Sequence, residues 1–217
     1  GITVRAEILF ITNIIIGDSM QQITHHTDLL NALIEKYNLK SYLEIGVQNP
    51  SNNFDKIKCE RKVGVDPALK GYADSDNSTI FQMFSDEFFM GNKETFDLTF
   101  IDGLHHADQV KRDFENSLRC LSDNGFIVIH DVLPWNEEGT AVPRATKMWW
   151  GDVYKWAMQI GTYKDIMYET FDIDNGCMLV WKRAGAYSVG LPNVECNWDN
   201  YILHKKELMN VTSTVEI

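Results

Sequence analysis

Cysteine is scarce and scattered. Four thiols in 217 residues (Cys59, Cys120, Cys177 and Cys196) form no C-x-x-C pair and no zinc-finger cadence. That excludes a disulfide framework and a thiolate metal module. A chain this long builds a core without covalent staples, so the thiols read as reduced, in a cytoplasmic protein. Long apolar runs are missing too. The most apolar stretch, Ile8 to Ile16, falls well short of the roughly 20 residues that span a bilayer. Only Arg5 precedes it and Asn13 interrupts it, so it reads as a strand or docking segment, a route to self-association, rather than a signal-peptide core. Positive charge is in deficit, with 20 Lys+Arg against 31 Asp+Glu and a net charge of −11. Affinity built on neutralising phosphates needs clustered cations, so no nucleic-acid partner is expected. Five prolines and fourteen glycines exclude collagen-like and low-complexity architectures.

What is present is an alternation of helical and strand patterns. Thr27 opens a helix whose stripe is Leu29, Leu30, Leu33 and Ile34, with Thr27 as its expected N-cap. Four short apolar runs read as buried strands: Ser41–Val47, Lys62–Pro67, Phe96–Gly103 and Gly125–Asp131. Between the last two, Val110, Phe114, Leu118 and Leu121 fall at helical spacing, with Asn124-Gly125 as the stop signal. Strands alternating with helices predict a mostly parallel sheet covered on both faces. Near the end, Ile166–Asp172 and Gly176–Lys182 flank Asp174-Asn175-Gly176, a hairpin signal. A last helix is expected around Tyr201 to Met209.

Each of the four strands ends in a carboxylate: Glu44, Asp66, Asp102 and Asp131. In an open parallel sheet, ligands bind beyond the carboxyl ends of the strands, where strand order reverses. Four acids in phase therefore predict a polar ligand rim, against the plainer reading of acids that cap helices. Gly46 lets the backbone of the first strand-to-helix turn approach a ligand. Asp66, about 20 residues on, is placed to accept both hydroxyls of a ribose. No G-x-G-x-x-G is present to cradle a pyrophosphate, and the acidic Glu44 suits a cationic ligand better than one with two phosphates.

LEIGV (Leu43 to Val47), VGVDP (Val63 to Pro67), FSDEFF (Phe84 to Phe89), FIDGLHH (Phe100 to His106) and IHD (Ile129 to Asp131) together resemble class I S-adenosylmethionine-dependent methyltransferases. The nearest group is small bacterial and phage proteins with an IDG-x-H signature and a strand ending in HD. Its W-x-GDV-x-K and D-x-D-x-GC stretches also have counterparts, at Trp149–Lys155 and Asp172–Cys177. The resemblance covers residues 27 to 183. It implies an α/β Rossmann-like fold with a mostly parallel seven-stranded sheet, helices on both faces and a C-terminal antiparallel hairpin. It implies one domain over 1–217, with 1–26 and 184–217 as appendages. Glu44 and Gly46 would then line the methionine part of S-adenosylmethionine, Asp66 would hold the ribose with Pro67 beside it, and Ser85 and Asp86 would lie near the adenine. Asp102 would border the same cofactor. One departure is Pro50, where the wider family pattern has a third glycine; proline cannot donate a backbone hydrogen bond.

Asp102, His105, His130 and Asp131 converge from two strand ends and are the candidate catalytic residues. Asp102, His130 and Asp131 could hold Mg²⁺ or another divalent cation. His105 or His130 could instead be a metal-free general base, or His130 could simply be packed. His25-His26 reads as a solvated pair. The aromatic cluster Trp149, Trp150, Tyr154 and Trp156 exceeds what one helical face buries, so it lines either an acceptor pocket or the core. Asn77-Ser-Thr and Asn210-Val-Thr match the glycosylation sequon by accident in this setting. The expected activity is O-methylation of a small hydroxylated or sugar-containing acceptor. The rivals are an inactive methyltransferase-like binding module, and a nicotinamide or nucleotide-sugar enzyme that uses Asp66 for ribose.

Overall fold

The four apolar runs from Ser41 to Asp131 and the two hairpin runs each become a strand of one sheet. In the computed structural model, which describes residues 23–71 and 75–212, eight strands run in the order β3-β2-β1-β4-β5-β7-β6-β8. The run Ile8 to Ile16 lies outside the described residues. Strands β1 (Ser41–Ile45), β2 (Arg61–Val65), β3 (Ser78–Phe81), β4 (Phe96–Ile101) and β5 (Leu121–Ile129) are parallel neighbours. β6 (Ile166–Phe171) and β7 (Cys177–Lys182) form the expected hairpin, and β7 runs antiparallel to β5. The turn joining them has Asp174 at φ 45° and Asn175 at φ 67°, the left-handed pair that a tight hairpin requires.

Alternation along the strands assigns the two faces. Tyr42, Leu98, Phe100, Val128 and Leu179 meet Leu29, Leu30, Leu33 and Ile34 of helix α1 (His26–Tyr37). On the opposite face Ile101, Ile127, Ile129 and Val180 pack against Val110 and Phe114 of α3 (Ala107–Arg119), and against α4 (Val153–Ala157) and α5 (Trp198–Leu208). A smaller cluster joins Leu43, Ile45, Val63 and Val65 to Phe88 of α2 (Ser85–Gly91). Burying each such side chain contributes about 1.5–3 kcal/mol.

The structure corrects the sequence reading in four places. The N-cap of α1 is His25, whose Nδ1 accepts from the Thr27 amide, so Thr27 is already inside the helix. α3 stops at Arg119, and Leu121 begins β5. Asn124-Gly125 lies within that strand, where the register jumps from Phe96 opposite Leu121 to Leu98 opposite Phe126, an irregularity that absorbs extra residues. The sheet has eight strands rather than seven, because β8 (Val211–Thr212) pairs with β6. β3 and α2 were not anticipated as elements. All four cysteines are free. Among the described residues, no helix is long and apolar enough to cross a membrane.

Candidate active site

Strand order reverses between β1 and β4, and there the backbones approach closely. The amide of Gly46 donates to the Val65 carbonyl (2.9 Å) and that of Asp102 to the Ile45 carbonyl (2.9 Å). Gly46 has φ +96°, and a Cβ on it would lie 2.1 Å from the Asp102 carbonyl oxygen. Only glycine fits. Directly after β2, the buried Asp66 ties two loops: Oδ2 accepts from the Gln48 amide (2.8 Å) and Oδ1 from the Ala68 amide (2.7 Å). A carboxylate oxygen has two lone pairs, so each oxygen retains one acceptor site. Pro67 beside it is exposed. Pro50 is buried, and its carbonyl accepts from the Asp55 amide at the 3₁₀ turn Phe54–Lys56. A 3₁₀ turn thus stands where the family pattern would continue from its third glycine.

Glu44 sits differently from the other three acids. It is the penultimate residue of β1, so alternation turns its side chain under α1 instead of onto the rim. Its Oε2 accepts from the Tyr42 hydroxyl (2.6 Å) and Asn53 Nδ2 (2.9 Å), and Asn53 Oδ1 accepts from the Thr27 hydroxyl (2.7 Å). Burial raises its pKa to about 8, against the pull of the Tyr42 and Asn53 hydrogen bonds. Ser85 and Asp86 open α2. Ser85 Oγ accepts from Gln109 Nε2, which also reaches Asp113, while Asp86 pairs with Arg112. Asp113 itself is buried, which lifts its carboxyl to about 6.

Asp102, His105, His130 and Asp131 do come together. His105 Nε2 is 3.3 Å from Asp102 Oδ1, and its Nδ1 is 3.4 Å from Asp131 Oδ2. His130 Nδ1 is 3.4 Å from Asp102 and 3.6 Å from Asp131, buried and without a hydrogen-bond partner. Each ring has another link to a backbone carbonyl: His105 Nδ1 to Trp149 (3.1 Å) and His130 Nε2 to Asp174 (2.6 Å). Burial opposes charge on both rings, yet Asp102 outweighs it. His105 is raised, and His130 lies well above its ordinary value. Burial likewise opposes the Asp102 carboxylate, and His130 and His105 reverse that, holding it well below the usual range. Burial lifts Asp131 to about 6. The three side chains whose donor atoms lie within 4.8 Å of one another are Asp102, His105 and Asp131. His130 lines the same space with its unpartnered nitrogen.

Several residues of the site were missed or misread. His26 is not solvated: its side chain is 12% exposed, stacks on Phe100 and meets the edge of His130. Its Nδ1 lies 2.5 Å from Asp174 Oδ2. Asp174 was visible within D-x-D-x-GC, although nothing in that string reveals its partners. The tryptophan cluster divides. Trp150, Tyr154 and Trp156 are core, whereas Trp149 stacks on His105 (5.2 Å between ring centres). Gly151, at φ +60°, passes so close that a Cβ would lie 1.7 Å from the His105 carbonyl oxygen. Next to it, Asp152 Oδ1 accepts from the Ala107 amide at the start of α3 (2.7 Å).

Residues 43–132 match the family model described as "Methyltransferase domain". No curated protein sequence matches the chain. Among solved structures, an O-methyltransferase from Klebsiella pneumoniae described as putative is 15% identical at a TM-score of 0.55, covering 85% of this chain and 91% of its own. The Bacillus cereus O-methyltransferase in complex with SAH is 13% identical at 0.55, covering 83% and 90%. The MycE methyltransferase, in complex with Mg, SAH and Mycinamycin VI, is 16% identical at 0.51, covering 74% of this chain and 50% of its own. Identities this low speak for the fold, and the matched segment spans the strand-end residues from Glu44 to Asp131. Residues 43–132 thus match a methyltransferase domain, and the chain has the Rossmann-like fold of the methyltransferases to which it is similar.

Proposed function

We propose that this protein transfers the methyl group of S-adenosylmethionine to an oxygen of a small hydroxylated acceptor, a sugar-bearing one by preference. One observation carries the reading: the Gly46–Asp102 crossing and the Asp66 carboxylate share a strand edge with the Asp102/His105/His130/Asp131 cluster. The residues present fit the methyl donor. Asp66 offers its remaining lone pairs to a ribose diol, with Pro67 beside it. Gly46 opens the backbone for the methionine portion, and Ser85 and Asp86 border the base. Glu44 acts one layer deeper, fixing the loop through Asn53. Bound there, S-adenosylmethionine would supply a methyl group activated by its sulfonium charge: the acceptor oxygen displaces S-adenosylhomocysteine, and the hydroxyl proton passes to the Asp–His cluster. The protein's main work is then to align two reactants.

A divalent cation fits the cluster as well. Two carboxylates face two imidazoles, and each ring is anchored to a carbonyl, the outer arrangement typical of metal-ligating histidines. Asp102, His105 and Asp131 would hold it, with His130 Nδ1 beside them. It would polarise the acceptor hydroxyl as a Lewis acid. Burial opposes charge on both imidazoles and Asp102 favours it, so each ring holds a proton more firmly than a free histidine. Trp149, stacked on His105, borders the acceptor side. The MycE complex, which holds Mg and Mycinamycin VI, supports a cation-assisted reading by analogy. The four free thiols support a cytoplasmic setting.

The test is methyl transfer from labelled S-adenosylmethionine to a panel of catechols, sugars and glycosides. Turnover should fall on chelation and return with Mg²⁺ or Mn²⁺. Asp102→Asn should bind the donor with unchanged affinity and lose at least about 100-fold in kcat. Donor binding without transfer to any acceptor would favour the binding module, and full activity of Asp102→Asn would remove the catalytic assignment.

A further inference from the structure

The geometry points to a second cation site outside the Asp102 cluster, formed by His25, His26 and Asp174 and suited to Zn²⁺ or a similar borderline ion. It is independent of the proposed methyl transfer. One oxygen, Asp174 Oδ2, is approached by the His26 amide (3.1 Å), His26 Nδ1 (2.5 Å), His25 Nε2 (3.5 Å) and His130 Nε2 (3.6 Å). Donor atoms of His25, His26 and Asp174 all lie within 4.8 Å of one another. Two imidazoles and one carboxylate form the ligand set of an open zinc site, with a fourth position left for water.

Hydrogen-bond partners around His25 can accommodate such an ion. Asn53 Nδ2 donates to Glu44 and Tyr42, so Asn53 Oδ1 faces Thr27 and accepts its hydroxyl proton. The Thr27 oxygen then has only lone pairs for His25 Nδ1, 3.1 Å away. A proton on Nδ1 satisfies that contact and leaves the Nε2 lone pair facing the Asp174 carboxylate, a repulsion that a cation between them converts to attraction. The Thr27 amide, 3.2 Å from the same Nδ1, donates to it in the opposite tautomer, so a cation on Nε2 would exchange that amide contact for the Thr27 hydroxyl one. Zinc bonds of about 2.0–2.2 Å place ligand atoms a little over 3 Å apart. The His25–Asp174 separation already fits, and the His26–Asp174 pair would open slightly. His130 stays outside the site, because its Nε2 is bonded to the Asp174 carbonyl. An ion here would clamp the start of α1 to the β6–β7 turn that carries this carbonyl, and so orient His130.

The experiment is calorimetric titration of Zn²⁺ into the full chain carrying Asp102→Asn and Asp131→Asn, with Co²⁺ absorption as a second readout. One equivalent should bind, and Co²⁺ should give the visible bands of a low-coordinate nitrogen and oxygen site. Adding His25→Ala, a half-exposed position, should weaken binding about 100-fold, since even outer-shell partners cost 10–100-fold. In the wild-type chain the same substitution should remove one equivalent whether or not the Asp102 cluster binds an ion, so the two readings fail separately. Unchanged affinity and spectrum in His25→Ala, or no Zn²⁺ bound by either background, would overturn the assignment.

Discussion

A methyl group on Gly46 would collide with the Asp102 carbonyl and would also force a side chain into the φ +96° region. Gly46→Ala should therefore cost about 3 kcal/mol or more, seen as a fall in Tm of about 6–12 °C. Loss of donor binding should accompany it, because the same crossing shapes the cleft. Glu44 gives a pH prediction. Its folded pKa is raised to about 8 from an ordinary 4.5, so the folded protein keeps a proton that the unfolded chain releases. Its contribution is fully present below pH 4.5 and is lost as pH rises towards 8. Glu44→Gln keeps the acceptor oxygen for Tyr42 and Asn53 without the charge. Its Tm relative to wild type should rise steadily between pH 5 and 8; a constant difference across that range would reject the assignment. At this scale the sequence was legible where a residue type allows one use. Gly46, with its close backbone crossing, is such a case. Glu44 was misjudged because one step of strand alternation separates rim from interior, and strand ends are uncertain by that much.

Elements were legible in proportion to their length and periodicity. α1, α3, the four central strands and the β6–β7 hairpin all follow from pattern. β3 and β8 are four and two residues long, and α2 seven, too short for any period to declare itself. The loop that carries Trp149 was the least legible, since its order comes from contacts far along the chain. Asp152 is the clearest of these, capping α3 across 45 positions. Asp152→Ala should cost about 1 kcal/mol, or about 2–4 °C in Tm. It should also lower kcat more than it raises KM, because the Asp152 amide and Gly151 hold the His105 carbonyl. Equal loss in both parameters would show that the cap is structural only. The histidines of Asp102's neighbourhood were legible as a cluster; which nitrogen faces which carboxylate was not, being set by the carbonyls of Trp149 and Asp174.

At the scale of the whole molecule, the order β3-β2-β1-β4-β5 brings the reversal of strand order, the Asp66 carboxylate and an Asp–His cluster to one edge. The net charge of −11 sets how ligands are drawn to that edge. Long-range attraction favours a sulfonium nucleoside over a dinucleotide with two phosphates, and the preference should weaken with salt over a Debye length of about 8 Å at physiological ionic strength. The most direct measurement is therefore a calorimetric titration of the wild-type protein and Asp66→Ala with S-adenosylmethionine and, separately, with NAD. Micromolar binding of S-adenosylmethionine alone, lost by at least tenfold in Asp66→Ala (about 1.4 kcal/mol), is the predicted result. Binding of NAD, or S-adenosylmethionine affinity indifferent to Asp66, would contradict it.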